Sequence, residues 1–204
     1  EACVFCGACV PACRYEAIEL RLPQAVQPNP QARGIWVFAE FFAGQFKSVT
    51  FELLGEAHRL AASSGEPVCA IVLGEQATQS YRQLCAYGAD EVLAVPLAEL
   101  DQRNELLYPI AMAQLVQVYQ PSIFLIGGTG FGRSIAPRIA SRLETGLTAD
   151  CTRLEIDAQS GLLHQTRPAF GGNLMATILC RNRRPQMATV RPHVMLPLVA
   201  DISR

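Results

Sequence analysis

Ser122-Ile123-Phe124-Leu125-Ile126-Gly127-Gly128-Thr129-Gly130-Phe131-Gly132-Arg133 is the stretch that decides how this chain folds. Its apolar run, Ile123 to Ile126, marks a strand buried on both faces, as in the parallel sheets of α/β proteins. Beyond the glycines, Ile135, Ala136, Ile139, Ala140 and Leu143 recur at helical spacing over residues 133–143. Strand, glycine-rich turn and helix form the repeating unit of a parallel sheet with crossover helices. Glycines at such a junction also turn backbone N–H groups toward an anion. The G-x-G-x-G order is not the dinucleotide fingerprint, and no Gly-Lys-Ser/Thr follows to make a P-loop. Asp150 stands about 20 residues on, as the fingerprint asks, but after a helix and a turn. The alternative is a turn required only for packing.

Working outward, the same rhythm repeats upstream. Ile35-Trp36-Val37-Phe38-Ala39 reads as a first buried strand. A helix follows with Thr50 as candidate N-cap, and Leu53, Leu54, Ala57, Leu60 and Ala61 lie on one face until Gly65 stops it. Residues 68–73 and 91–95 read as strands, and residues 79–87 and 104–119 as helices. Strict alternation predicts an α/β fold, a parallel-sheet nucleotide-binding-like domain. After Thr145 the pattern turns strand-like at residues 151–156, 162–166, 174–179 and 186–190, which predicts antiparallel edge strands on that sheet.

In front of this domain stands Cys3-Val4-Phe5-Cys6-Gly7-Ala8-Cys9-Val10-Pro11-Ala12-Cys13. Its C-x2-C-x2-C-x3-C spacing is that of bacterial ferredoxins and their iron–sulfur clusters. Gly7 lets the backbone pass close to the sulfides. Structural zinc instead prefers two separated ligand pairs, and no second pair lies nearby. Arg14 replaces the proline that usually follows the fourth cysteine. In two-cluster ferredoxins the fourth cysteine serves the other cluster. The start at Glu1, without Met, leads to the expectation that a first cysteine run precedes it. Cys3, Cys6 and Cys9 would then hold one cluster and Cys13 its neighbour; otherwise all four hold one. Residues 17–20 are expected as a short strand, with Ile18 shielding the cluster. The prolines of residues 23–33 predict a semi-extended linker.

Thr166-Arg167-Pro168-Ala169-Phe170-Gly171-Gly172-Asn173 places an arginine on a loop of close backbone approach. Such a guanidinium suits an electron-rich ring or a phosphate, or else a salt bridge closing a hairpin. Half of the 204 residues are hydrophobic and 17% are charged, which reads as folded protein. The net charge of −1 argues against nucleic acid. The balance is uneven: residues 1–132 carry net −6 and residues 133–204 net +5. No apolar run is long enough to span a bilayer. A cluster with further scattered cysteines suits a reducing cytoplasm. Cys69, Cys85 and Cys180 read as small buried hydrophobes, and His58, His164 and His193 show no ligand spacing.

Residues 34–40, 51–55, 132–138, 145–151, 167–173 and 184–193 together resemble the alpha subunit of electron-transfer flavoproteins, in order over residues 34–197. The cysteine segment in front resembles the ferredoxin-bearing variant of that subunit. Arg191-Pro192-His193 resembles members that use NADH and split electron pairs between two flavins. The resemblance implies an electron-transfer subunit working with a beta subunit. Its electrons would pass among NADH, FAD and a 4Fe–4S cluster to an acyl-CoA dehydrogenase or a ferredoxin. It implies that the chain is a fragment: a 4Fe–4S segment at 1–22, a linker at 23–33, the amino-terminal domain at 34–197 and the start of a second linker at 198–204. The FAD would be bound mainly by the beta subunit and a missing carboxyl-terminal domain. It also implies that Arg167 reaches a flavin ring, with Gly128, Thr129 and Arg133 as further candidates at that interface. The metal candidates stay Cys3, Cys6, Cys9 and Cys13. The alternatives are an adenine-nucleotide-binding regulatory domain fused to a ferredoxin module, and a plain ferredoxin fused to a scaffold.

Overall fold

The computed structural model describes residues 8–19 and 29–203. Near the amino end Cys9–Ala12 form a single helical turn, α1. The main domain begins with Ile35–Phe38 (β1), a small hairpin of Phe41–Phe42 (β2) and Gln45–Phe46 (β3), and helix Ser48–Ser64 (α2). Then come Val68–Leu73 (β4), the short helices Glu75–Gln79 (α3) and Arg82–Ala86 (α4), and Glu91–Val95 (β5). Leu107–Tyr119 (α5), Ile123–Gly127 (β6) and Gly130–Arg142 (α6) follow. The last part holds Leu147–Cys151 (β7), Arg153–Ile156 (β8), Leu163–Ala169 (β9), Leu174–Ile178 (β10) and Gln186–Val190 (β11).

Six strands make one sheet in the order β5-β4-β1-β6-β11-β7, and every pairing in it is parallel. The chain runs from β1 outward to β4 and β5, then returns to the other side of β1 for β6. The order therefore reverses between β1 and β6. As the apolar runs predict, β1, β4 and β6 are buried along their whole length, and so, against its expected place at an edge, is β11. Side chains alternate between two cores because successive residues of a strand face opposite ways. Ile35, Val37, Val68, Ala70, Ile123 and Leu125 meet Leu53, Leu54, Ala57 and Leu60 of α2. Trp36, Phe38, Ile71, Phe124 and Ile126 meet Tyr108 and Met112 of α5 and Ile135 and Ile139 of α6. Each such fully buried Leu or Ile contributes about 1.5–3 kcal/mol of transfer free energy.

Several local expectations need correction. Thr50 does not cap α2, which starts earlier, after Lys47; Thr50 is buried and accepts the Glu40 N–H at 3.1 Å. The helix expected at 79–87 is two short helices, α3 and α4, broken at Ser80. Asn104 lies outside α5, where its side chain accepts the N–H groups of Leu106 and Leu107. The expected strand 151–156 is divided between β7 and β8. Nor do antiparallel strands edge the main sheet: β11 inserts between β6 and β7, and both its pairings are parallel. Antiparallel pairing instead forms a separate sheet, β10-β9-β8, which sends Leu154 and Leu163 into the α2-side core. Residues 17–19 form no strand and Ile18 is 40% exposed; Leu20 lies outside the described residues. Of the linker, residues 23–28 also lie outside them. Its end is tied down, with Arg33 N–H donating to the Gln120 carbonyl at 3.1 Å.

Candidate functional site

Strands β6, β11 and β7 end side by side at the carboxyl edge, and the glycine-rich turn lies there. Gly128 N–H donates to the Val190 carbonyl at 2.6 Å, and a Cβ on Gly128 would come within 2.8 Å of that oxygen. A Cβ on Gly132 would meet the Gly127 carbonyl at 1.9 Å. Backbone meets backbone at both places, so the packing explanation accounts for these two glycines. Thr129 is the N-cap of α6: its Oγ1 accepts the Gly132 N–H at 2.9 Å and donates to Glu40 Oε2 at 2.5 Å.

Glu40, one residue past Ala39 at the end of β1, is only 1% exposed. Its other oxygen pairs with Arg103. The Arg103 guanidinium is held between two rings, 4.3 Å from the centroid of Phe42 and 4.8 Å from that of Phe131. A carboxylate at the start of α6 sits where the helix dipole favours negative charge. This crevice, between the carboxyl ends of β1 and β6, is the place where open α/β sheets commonly bind ligands. Here the chain's own Glu40 and Arg103 take up the polar positions.

A second cluster gathers at the ends of β7, β11 and β9. Asp150 adopts φ +63°, a left-handed conformation that Asp tolerates better than most residues. Its backbone N–H donates to Thr189 Oγ1 at 2.9 Å. Its carboxylate receives Arg191 through Nε at 3.2 Å and Nη2 at 2.5 Å, and Arg133 Nη2 at 3.3 Å. Thr152 N–H donates to the Thr166 carbonyl at 2.9 Å and draws β9 against the end of β7, so Arg167 stands beside Cys151 and Asp150. The hydrogen bond from Arg191, aided by the charges of Arg191, Arg133 and Arg167, holds the Asp150 carboxyl below its usual 3.8.

Arg167 itself is half-buried on β9, opposite Ala176 of β10. Among the described residues its guanidinium has no hydrogen-bond or ion-pair partner, so the salt bridge that would close the hairpin is not made. The hairpin ends in Phe170, Gly171 and Gly172, all at positive φ. Beside this tip Phe170, Leu174 and Met175 are exposed, and among the described residues β10 is an edge strand with one side unpaired. Of the residues singled out in the sequence, Arg133 and Arg167 come together, whereas Gly128 and Thr129 serve the turn. Asp150, noted in the sequence for its spacing from the glycine turn, and Arg191, part of the Arg-Pro-His stretch, form the hub of the cluster, but nothing in the sequence paired them with each other. Nor did anything in it pair Glu40 with Arg103.

At the amino end Cys9 is exposed and Cys13 partly so; Cys3 and Cys6 lie outside the described residues. Hydrogen bonding from the backbone of Ala17, Tyr15, Ile18 and Glu16 holds the Cys13 thiol below its ordinary 9.0. Cys69 and Cys151 are the opposite case: burial pushes both up to about 12. Among the described residues no three His, Cys, Asp or Glu side chains gather as a metal site.

Comparison with known families agrees with both halves of this description. Residues 35–204 match the electron transfer flavoprotein domain, and residues 1–19 match the 4Fe-4S binding domain. The chain belongs to the electron transfer flavoprotein family. Its relatives include electron transfer flavoprotein subunit alpha of Thermoanaerobacterium thermosaccharolyticum, 49% identical over 172 residues, covering 84% of this chain and 52% of the relative. Lactate dehydrogenase (NAD(+),ferredoxin) subunit LctC of Acetobacterium woodii is 41% identical over 191 residues, covering 93% and 46%. Acryloyl-CoA reductase electron transfer subunit beta of Anaerotignum propionicum is 40% identical over 185 residues, covering 80% and 50%. The chain spans about half the length of the curated relatives it matches.

Proposed function

We propose that this chain is an electron-transfer subunit. In this reading it works with a beta-type partner and passes electrons between NADH, flavin and an iron–sulfur cluster to a flavin dehydrogenase or a ferredoxin. The observation that carries the reading is the Arg167 guanidinium, which among the described residues has no hydrogen-bond or ion-pair partner and stands at the carboxyl edge beside an exposed apolar hairpin. A bound flavin supplies reversible uptake of electrons. Arg167 favours the negative charge that the reduced ring acquires, because a guanidinium is always charged and is less strongly hydrated than an ammonium. Arg133 and Arg191 extend the positive field along the same edge. The FAD is held mainly by the partner, which docks against Phe170, Leu174 and Met175 and the edge strand β10. An uncovered apolar edge strand is otherwise an aggregation hazard, and a partner subunit removes it.

Cys3, Cys6, Cys9 and Cys13 would hold the cluster, with the backbone hydrogen bonding around Cys13 stabilising its thiolate. The cluster segment, its proline-rich linker and the α/β domain then form a relay. Names of relatives that mention lactate dehydrogenase with NAD and ferredoxin, or acryloyl-CoA reductase, fit this class of chemistry. Among the described residues no helix is long and apolar enough to cross a membrane, and a reduced cluster suits the cytoplasm. The adenine-nucleotide reading is disfavoured because Glu40 and Arg103 take up the polar positions of the crevice between β1 and β6.

The test is to co-produce the chain with a beta-type subunit under anaerobic conditions and add NADH. Flavin bleaching followed by a cluster EPR signal supports the relay, and Arg167→Ala should weaken flavin reduction at least tenfold. Failure of the pair to take up flavin, together with tight AMP binding by the chain alone, would overturn it.

A further inference from the structure

The Asp150 cluster holds three guanidinium groups and one carboxylate, a local charge of +2. Three guanidinium groups so close would repel one another without a counter-ion. Asp150 supplies it, and its grip is uneven. Arg191 is held by two hydrogen bonds on the two carboxylate oxygens, Arg133 by a single long one, and Arg167 by the field alone. The carboxylate is itself fixed from behind. Its backbone N–H is tied to Thr189 of β11, and Arg191 N–H donates to the Cys151 carbonyl at 3.0 Å. The left-handed turn at Asp150 thus closes the ends of β7 and β11 together, with the carboxylate turned to Arg191 and Arg133.

We propose that Asp150 is a positioning residue for flavin: it occupies Arg191 and Arg133, leaves Arg167 to face the ring, and its own negative charge limits how strongly the edge favours reduced flavin. This rests on the reading of Arg167 given above. The chain thereby carries a built-in brake on the reduction potential.

The test is a potentiometric titration of the flavin-loaded complex with its beta-type partner, with dithionite as reductant, comparing Asp150→Asn, Arg191→Gln, Arg167→Ala and Glu155→Gln. Asn accepts positive φ, so Asp150→Asn should fold. It should shift the equilibrium toward reduced flavin about three- to tenfold, or about 30–60 mV at 59 mV per tenfold for one electron. Arg191→Gln should shift it by a similar factor the other way, because it removes a cation and bares the carboxylate. Glu155→Gln removes the same charge from a surface pair with Arg153 and should leave the potential unchanged. If Arg167→Ala lowers the potential while Asp150→Asn matches Glu155→Gln, the inference about Asp150 is wrong and the function stands. If Asp150→Asn acts but Arg167→Ala does not, the proposed route through Arg167 is wrong. If neither acts, both the inference and the flavin role of Arg167 fail.

Discussion

Thr129 donates its hydroxyl hydrogen to the buried Glu40 carboxylate at 2.5 Å while the same oxygen accepts the Gly132 N–H at 2.9 Å. One side chain therefore caps α6 and satisfies an acid that is 1% exposed. Thr129→Ala loses both. The cap is worth about 1 kcal/mol, and weakening a buried acceptor adds about 1–3 kcal/mol. Urea unfolding should show a loss of about 2–4 kcal/mol for Thr129→Ala and a small change for Thr129→Ser. Equal stability of Thr129→Ala and wild type would mean that the hydroxyl is not shared in this way.

Two glycines in the same turn should behave oppositely. Gly132→Ala drives a Cβ to 1.9 Å from the Gly127 carbonyl, and neither backbone can yield easily. Its cost should reach or exceed the upper end of the usual overpacking range, about 3 kcal/mol. Gly130→Ala meets nothing within 4 Å at the first position of the helix, and should be neutral or stabilising by up to about 1 kcal/mol. Thermal melts of the two variants side by side would decide the matter.

Acid should unmask Asp150. Its folded-state pKa is lowered from 3.8, chiefly by the Arg191 hydrogen bond. Its contribution to stability is therefore present above the unfolded value and is lost as pH falls through the lowered folded one. Asp150→Asn should be less stable than wild type at pH 7, and the gap should close below about pH 4. A gap that stays constant down to pH 2.5 would show that the carboxylate's charge is not the source.

Thiol chemistry should sort the cysteines. Cys69 and Cys151 are buried with pKa values pushed up to about 12, so only about one part in ten thousand is thiolate at pH 8. Cys85 and Cys180 are partly exposed. Peptide-resolved alkylation under native conditions should label Cys85 and Cys180 at least a hundredfold faster. Rapid labelling of Cys151 would contradict its place at the closed end of β7.

The amino-terminal segment makes its own prediction. Cys9→Ser and Cys13→Ser should each lower bound iron and acid-labile sulfide after anaerobic reconstitution, and Cys69→Ala should not. Undiminished iron in Cys13→Ser would show that Cys13 is not a ligand.

Much of the fold was legible because burial on both faces of a parallel strand leaves an unbroken apolar run. Ile35–Ala39, Val68–Leu73 and Ile123–Ile126 show such runs, and the helices between them show their period. What was misread depends on partners far away in the chain. Gln186–Val190 looks the same whether it pairs at an edge or, as it does, between β6 and β7. Thr50 looks like a cap until Glu40 is placed beside it. Arg167 stood out by its local motif, Pro168 and the double glycine. The pairing of Asp150 with Arg191 did not, because their meeting depends on two strands ending side by side.

Local order is thus written in the chain: periodicity sets strands and helices, and the spacing of Cys3, Cys6, Cys9 and Cys13 marks an iron–sulfur segment. The tertiary structure alone decided which strand lies beside which, that the start of α6 is answered by the chain's own Glu40, and that Asp150 holds Arg191 across 41 residues of sequence. The physical reason is that a residue's own backbone preferences and burial act over a few positions. A hydrogen bond or ion pair between distant residues exists only after the sheet has chosen its order.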